Sequence, residues 1–462
     1  MAAGGKGIFA LDVTNPDSFS TSSVLWEVNT TEGPKTSDVT TDTTSSGTPN
    51  IVSRGFGNNL GYTMAQPSIA RLNTASGTIQ WAAIVGNGYA STNNYSILYV
   101  LDIETGAIIA QFDTKTVGYG LSTPITVDVD SNGTVDVVYA GDLQGNMWKF
   151  DMSSTDKTKW KVAYGTSSVP LPLFTACLDA SSTANCDLTR QPITNKPQVG
   201  QVGKTQTPSN SVMVYFGTGK YFEDSDNNLA NTKTQTFYGI WDECPLVSNT
   251  TGTHSCPNSV QKGTGTGPLL KQTVVAQLSP TTSTPVNVRV TSNTAINYPT
   301  NKGWYIDFVN PNTAANDGER IVSASLLRGG RIIFATLIPV PPSTATTSTD
   351  MCVAGAQSTS WLMELDALSG SRLSSPVLDI NNNNKVNSTD IVAYGTNGSS
   401  TAPASGIKMT NGSTKTPAVI TNPGSDEIKF TGSSTGSTPT GIAESPAATS
   451  TQGSQRQSWR QF

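Results

Sequence analysis

Charge is scarce in this chain. Lys, Arg, Asp and Glu make up 13% of its 462 residues, 28 basic against 33 acidic, for a net charge of −5. No basic face therefore advertises nucleic acid. A single histidine, His254, excludes a His-rich metal cluster. No apolar run reaches the about 18 residues a membrane helix needs, so no membrane span is expected. The opening Met-Ala-Ala-Gly-Gly-Lys has no apolar signal core and leads straight into a strand-like Gly7 to Val13. The chain is therefore expected to be a piece of something longer. What is plentiful is Ser, Thr, Asn and Gly between short β-branched runs, a balance that suits an extracellular β-rich protein.

Cysteine is also sparse. Cys177 and Cys186, then Cys244 and Cys256, form two local pairs in polar segments, and Cys352 is left over. Neither pair has CxxC spacing, which argues against zinc or redox chemistry. They read as two disulfides stapling long loops, each worth roughly 2–3 kcal/mol by loop closure. Disulfides place a protein outside the cytosol. The alternative is five unpaired buried thiols.

The richest stretch is 125–151. Oxygen-bearing side chains stand at loop positions 1, 3, 5 and 9: Asp128, Asp130, Asn132 and Asp136. Gly133 falls where the chain must turn, and Thr134 would offer its carbonyl at position 7. A hard cation such as Ca²⁺ takes six to eight oxygens at about 2.3–2.6 Å, and this alternation supplies most of them. Both flanks are β-branched, so the loop is expected on a β-hairpin. An EF-hand would have Glu where this chain has Tyr139. The bland alternative is a solvated acidic turn.

A second string, 379–390, sets Asp379, Asn381 and Asn383 at positions 1, 3 and 5, the Lys385 carbonyl at 7 and Asp390 at 12. It is like the twelve-residue loop of dockerins and EF-hands, with a short helix expected near Ser388. Asn384 replaces the glycine of position 6, and only two carboxylates remain, so weaker calcium binding is expected. The alternative is an Asn-rich turn.

Between these strings an apolar-Asp-turn pattern recurs: Ala10-Leu11-Asp12, Leu101-Asp102 to Gly106, Phe150-Asp151, Trp241-Asp242 and Leu365-Asp366 to Gly370. Short strands repeating every 40–50 residues or so indicate an all-β, modified β-propeller. Blades are expected over 66–113, 123–164, 197–242 and 303–373, with 5–28 ending an earlier blade and 416–430 closing the set. The propeller domain is assigned to 1–430, with long polar insertions at 29–60, 176–211, 244–300 and 340–359. A low-complexity tail takes 431–462. The tryptophans at 26, 81, 148, 160, 241, 304 and 361 are assigned to packing between blades.

Seven segments carry a family resemblance: 4–14, 139–151, 216–221, 235–242, 326–334, 360–367 and the terminal Arg-Gln-Ser-Trp-Arg-Gln-Phe (456–462). In order, they resemble the C-terminal domain of the PilC/PilY proteins, adhesins and biogenesis factors of the type IV pilus tip. The resemblance implies a secreted propeller at the bacterial surface, holding one Ca²⁺ through the loop matched here by Asp128, Asp130, Asn132, Thr134 and Asp136. It further implies roles in pilus biogenesis, extension against retraction, surface or host-cell adhesion and virulence. Partners would be minor pilins, the pilus tip, or a host-cell or abiotic surface. No Arg-Gly-Asp motif occurs. Two other readings remain beside it. The Leu-Asp-Ile-Glu-Thr-Gly turn is similar to the blades of quinone-dependent dehydrogenases, although the adjacent-cysteine pair is missing and shared fold is not shared function. The string 379–390 suggests a dockerin-like assembly module. The expected protein is non-catalytic.

Overall fold

The computed structural model describes residues 4–30, 56–75, 78–201, 211–227, 233–244, 256, 260, 262–263, 269–298, 300–340, 358–409, 412, 414–421, 427–432 and 440–444. Two compact units divide them. The first runs to Val212 and takes back Asp242–Lys262; the second holds Met213–Trp241 and the chain from Gly263 on. Nearly all regular structure is strand, as the alternating β-branched runs require. No helix is long and apolar enough to cross a membrane among the described residues.

In the first unit, strands β1 (Gly7–Leu11) and β2 (Val24–Asn29) form an antiparallel pair. The next four, β3 (Ser68–Arg71), β4 (Trp81–Gly86), β5 (Tyr95–Asp102) and β6 (Ile108–Val117), make one antiparallel meander. A second meander follows from β7 (Ile125–Val127), β8 (Val137–Gly141), β9 (Asn146–Asp151) and β10 (Lys161–Val162). These two blades pack face to face. Ile84, Val100 and Phe112 from one meet Val138, Trp148, Phe150 and Trp160 from the other in one buried cluster. Both blades are local in sequence, and their positions agree with the expected 66–113 and 123–164.

The recurring apolar-Asp motif has a physical cause. The Asp102 carboxylate ends β5 by accepting the Glu104 and Thr105 backbone N–H groups and the Thr105 hydroxyl. Asp366 ends its strand the same way with Ser369. Each turn closes on a left-handed glycine, Gly106 at φ +73° and Gly370 at φ +67°. A Cβ on Gly106 would lie 2.6 Å from the Trp26 ring, and one on Gly370 2.2 Å from Trp304. Each tryptophan also donates its Nε1–H to a carbonyl of the turn, Ile103 and Ala367, at 3.0 Å. The motif is therefore a docking point for an indole, and only glycine leaves room for it. Five tryptophans (148, 160, 241, 304, 361) are fully buried, whereas Trp81 is 49% exposed.

The second unit departs from the sequence expectation. Gly303–Asp307 pairs antiparallel with Thr236–Asp242, and Leu270–Gln272 adds in parallel. That strand therefore belongs to the third blade and does not open the fourth. The fourth blade is a six-stranded antiparallel sheet: Val274–Leu278, Val288–Thr291, Gly406–Met409, Ser360–Asp366, Arg331–Ala335 and Leu326–Arg328. The segment 244–300, expected to be an insertion, supplies two of its strands. A further sheet joins Ala418–Thr421, Glu427–Thr431 and Thr440–Glu444, so a strand lies inside the segment read as tail. It is tied down by Lys429, buried against Glu364, which also pairs with Arg331 at 2.8 Å.

Both local cysteine pairs are disulfides, Cys177–Cys186 and Cys244–Cys256. The second is anchored by a buried polar knot. Asp242 accepts the Tyr139 and Tyr164 hydroxyls at 2.6 Å each, pairs with Lys149 at 2.7 Å and takes the Cys244 N–H. His254, Cys352 and the terminal 456–462 motif lie outside the described residues.

Candidate metal centre

The β7–β8 hairpin carries the loop singled out by its spacing. Val127, Val135 and Val137 are buried at its base, which fixes where the polar residues between them must turn. Asp128 Oδ1 accepts the Asn132 N–H (3.1 Å) and Oδ2 the Gly133 N–H (2.7 Å). Asp130 Oδ1 accepts the same Asn132 N–H, and Asn132 Oδ1 accepts the Thr134 N–H and hydroxyl. Asp136 reaches back from position 9 so that Oδ2 accepts the Val129 N–H at 2.7 Å. Two left-handed residues, Ser131 (φ +63°) and Gly133 (φ +88°), produce the curl.

The curl gathers charge. One carboxylate oxygen from each of Asp128, Asp130 and Asp136 lies within 4.8 Å of the others, the one such acidic cluster among the described residues. Burial, with the charges of Asp130 and Asp128, pushes the Asp136 carboxyl up to about 7. Burial also raises Asp128. Three carboxylates held this close could hold a metal ion, and oxygen-only donors suit a hard cation such as Ca²⁺ or Mg²⁺. Asn132 brings a fourth side-chain oxygen into the same loop. The donor set thus fits the group implied by the spacing.

The second string, 379–390, repeats this scheme in the other unit. Asp379 Oδ1 and Oδ2 accept the Asn383 and Asn384 N–H groups at 3.2 and 2.7 Å. Asn381 Oδ1 accepts the Asn383 N–H, and Asn383 Oδ1 the Lys385 N–H. Left-handed Asn382 (φ +58°) and Asn384 (φ +61°) stand where Ser131 and Gly133 do. The closing carboxylate is Asp390, three positions later than its counterpart, yet its Oδ1 still accepts the N–H of position 2, Ile380, at 3.1 Å. The expected helix near Ser388 is not formed. Asn387–Asp390 is a turn, followed by an antiparallel hairpin of Ile391–Tyr394 with Ser400–Pro403. Asp390 uses its second oxygen on the Asn387 N–H, and the chain passes from this single turn directly into the strand at Ile391.

Spacing thus located the side-chain oxygens in both loops. It missed the backbone donors at Val129 and Ile380 and the left-handed residues at 131 and 382. Ser at 131 gives no signal for that conformation, whereas Asn at 382 does.

Three comparisons with known proteins bear on this arrangement. A family model for the PilY1 beta-propeller domain matches residues 1–284. A type IV pilus biogenesis factor PilY1 homolog of Xylella fastidiosa is 33% identical over 438 residues, covering 91% of this chain and 25% of the relative. Type IV pilus biogenesis factor PilY1 of Pseudomonas aeruginosa (strain PAO1) is 30% identical over 416 residues, 85% of this chain and 30% of that protein. The chain therefore spans no more than about a third of these curated relatives. The solved C-terminal domain of Pseudomonas aeruginosa PilY1 superposes with a TM-score of 0.70 at 26% identity, over 96% of this chain and 78% of that one. The all-β blades, their docking turns and these matches agree, and this chain belongs to the PilY1 β-propeller family.

Proposed function

We propose that this chain is a non-catalytic, calcium-binding propeller of a type IV pilus-associated protein, secreted to the cell surface or pilus tip. Its work would be pilus biogenesis, in the balance of extension and retraction, together with adhesion to a host-cell or abiotic surface. The relatives named as pilus biogenesis factors support the pilus setting. The observation that carries the calcium reading is the convergence of Asp128, Asp130 and Asp136 on one hairpin.

The mechanism would be ordering by charge neutralisation. Asp128, Asp130, Asn132, the Thr134 carbonyl and Asp136 hold Ca²⁺. The cation removes mutual repulsion among the three acids and fixes the curl between β7 and β8. Val135 donates to the Arg71 carbonyl at 2.9 Å, so ordering reaches the preceding blade. Minor pilins or the pilus tip would read the ordered surface. Asp379, Asn381, Asn383, the Lys385 carbonyl and Asp390 form a second, weaker site.

Calorimetric titration with Ca²⁺ tests the reading. Wild type should bind, Asp136→Ala should not bind at the first loop, and cells carrying that variant should show altered surface piliation. An unchanged isotherm in Asp136→Ala would remove the calcium assignment. Normal piliation despite lost binding would remove the regulatory role alone.

A further inference from the structure

Three Gly–Tyr pairs, 61–62, 88–89 and 118–119, meet at one end of the β3–β6 blade. β4 and β6 end there, and β3 and β5 begin there. The Tyr62 and Tyr89 backbones exchange hydrogen bonds at 2.7 and 3.3 Å, the Gly61 N–H bonds the Asn87 carbonyl, and Tyr119 donates to Asn94. The fit leaves no room. A Cβ on Gly61 would sit 2.2 Å from the Tyr89 carbonyl oxygen, one on Gly88 2.2 Å from that of Tyr62, and one on Gly120 1.8 Å from that of Gly88. Ala90, Asn94, Lys115 and Tyr119 are all left-handed there, at φ +54° to +57°. Alanine, lysine and tyrosine adopt that region at a cost, and such strain persists where surrounding structure imposes it, often at binding sites.

This rigid frame displays aromatic surface. Tyr62 is 39% and Tyr119 43% exposed, and Met64 beside them 54%. The Tyr62 and Tyr89 rings lie 5.6 Å apart, tilted by 41°. Lys6 Nζ sits 5.0 Å over the Tyr62 ring and donates to the Ala90 carbonyl. The loops that carry these rings also expose Asn58, Thr92 and Asn93; Asn93 donates its backbone N–H to the Asn58 carbonyl and its side-chain amide to Asn59 at 2.7 Å. Buried within the same loop, the Ser91 hydroxyl has no hydrogen-bond partner. Residues 58–64, 87–94 and 118–121 contain no acidic or basic side chain.

We propose that this surface is a carbohydrate-binding platform for a neutral oligosaccharide. The C–H groups of a sugar ring pack on the exposed aromatic surface of Tyr62 and Tyr119, as apolar groups pack on any aromatic surface. The Asn58, Thr92 and Asn93 side chains pair with hydroxyls, whose weak, multiple hydrogen bonds suit an uncharged amide rim. Because the loops are already locked, little conformational freedom is lost on binding. A charged ligand would find Lys6, whose ammonium already has two partners, and Lys115, whose ammonium donates to the Ser167 carbonyl.

The inference takes its biological setting from the adhesion reading, but its test does not depend on it. Purified wild-type chain is screened on a panel of immobilised neutral oligosaccharides, and hits are titrated by ligand-observed NMR. Tyr62→Ala and Tyr119→Ala are each expected to weaken a hit at least tenfold. Trp81→Ala, which removes an exposed aromatic from β4, should leave it unchanged. Both tyrosine variants truncate exposed side chains, and their circular dichroism should match wild type. Absence of any hit, or equal binding by the tyrosine variants, overturns the proposal. So does a set of hits restricted to acidic glycans. A negative panel leaves the piliation assay untouched.

Discussion

The loops at 128–136 and 379–390 share one hydrogen-bond scheme and differ in charge. Side chains at positions 1, 3 and 5 accept the same backbone N–H groups of positions 5, 6 and 7 in both, and positions 4 and 6 are left-handed in both. One loop closes with an acid at position 9 and collects three carboxylates. The other closes at position 12 and holds two. The scheme is therefore a way of folding a polar hairpin that both loops share despite their different charge. What sets the first loop apart is the repulsion stored in it, and relief of that repulsion is what a cation supplies.

The largest expected effect follows from removing that charge. Asp136→Ala should weaken first-loop Ca²⁺ binding by about a hundredfold or more, since it deletes a ligand and a third of the negative charge. Asp390→Ala should leave the first-loop isotherm where it was. If both variants lowered the same calorimetric step equally, the two loops would not be independent sites.

Proton competition comes next. With its carboxyl at about 7, well above the ordinary 3.8, Asp136 in the metal-free folded chain keeps a proton that the unfolded chain loses above about pH 4. The folded state binds more protons across that window. Metal-free stability therefore falls as pH rises from about 4 to about 7, by on the order of a few kcal/mol, and is lower above it. Calcium must displace this proton, so affinity should weaken by about tenfold per unit as pH drops below about 7. Chemical denaturation with chelator at pH 5 and 7.5 checks the sign. Greater metal-free stability at the higher pH would contradict the buried, crowded carboxyl.

A smaller gain is expected from adding charge to the weaker loop. Asn381→Asp restores a carboxylate at position 3, where Asp130 stands in the first loop, and should raise second-loop affinity about tenfold, given the dependence of affinity on ligand charge. Calcium titration in an Asp136→Ala background isolates that step.

The sequence carried the oxygen positions of both loops because Asx side chains must fall every second residue to curl the chain. It also carried the two local blades, in which each strand pairs with its neighbour in sequence. It placed three strands of the third blade inside the expected 197–242 but not the two that complete the sheet. Gly303–Asp307 pairs with Thr236–Asp242 across about sixty intervening residues that include strands of another sheet, and periodicity cannot report a partner that distant. The Trp26 and Trp304 docking turns were half legible. Leu-Asp-x-x-Thr/Ser-Gly announced the turn, but nothing local named the indole lying on each glycine.

The smallest effect separates backbone from charge. Asn384 occupies at φ +61° the place that Gly133 takes at φ +88°. A left-handed residue other than glycine costs roughly 1–2 kcal/mol, less for Asn. Glycine recovers that in the folded loop and gives back roughly 0.5–1 kcal/mol through the freer unfolded chain. Asn384→Gly should therefore change stability by only a few tenths of a kcal/mol and second-loop affinity by less than about threefold. If this single change instead brought the second loop level with the first, conformation at position 6 would be the limiting feature. The difference between the two loops would then lie in the turn and not in the missing carboxylate. The expected result, a weak loop that stays weak with glycine and strengthens with Asn381→Asp, assigns the difference to charge.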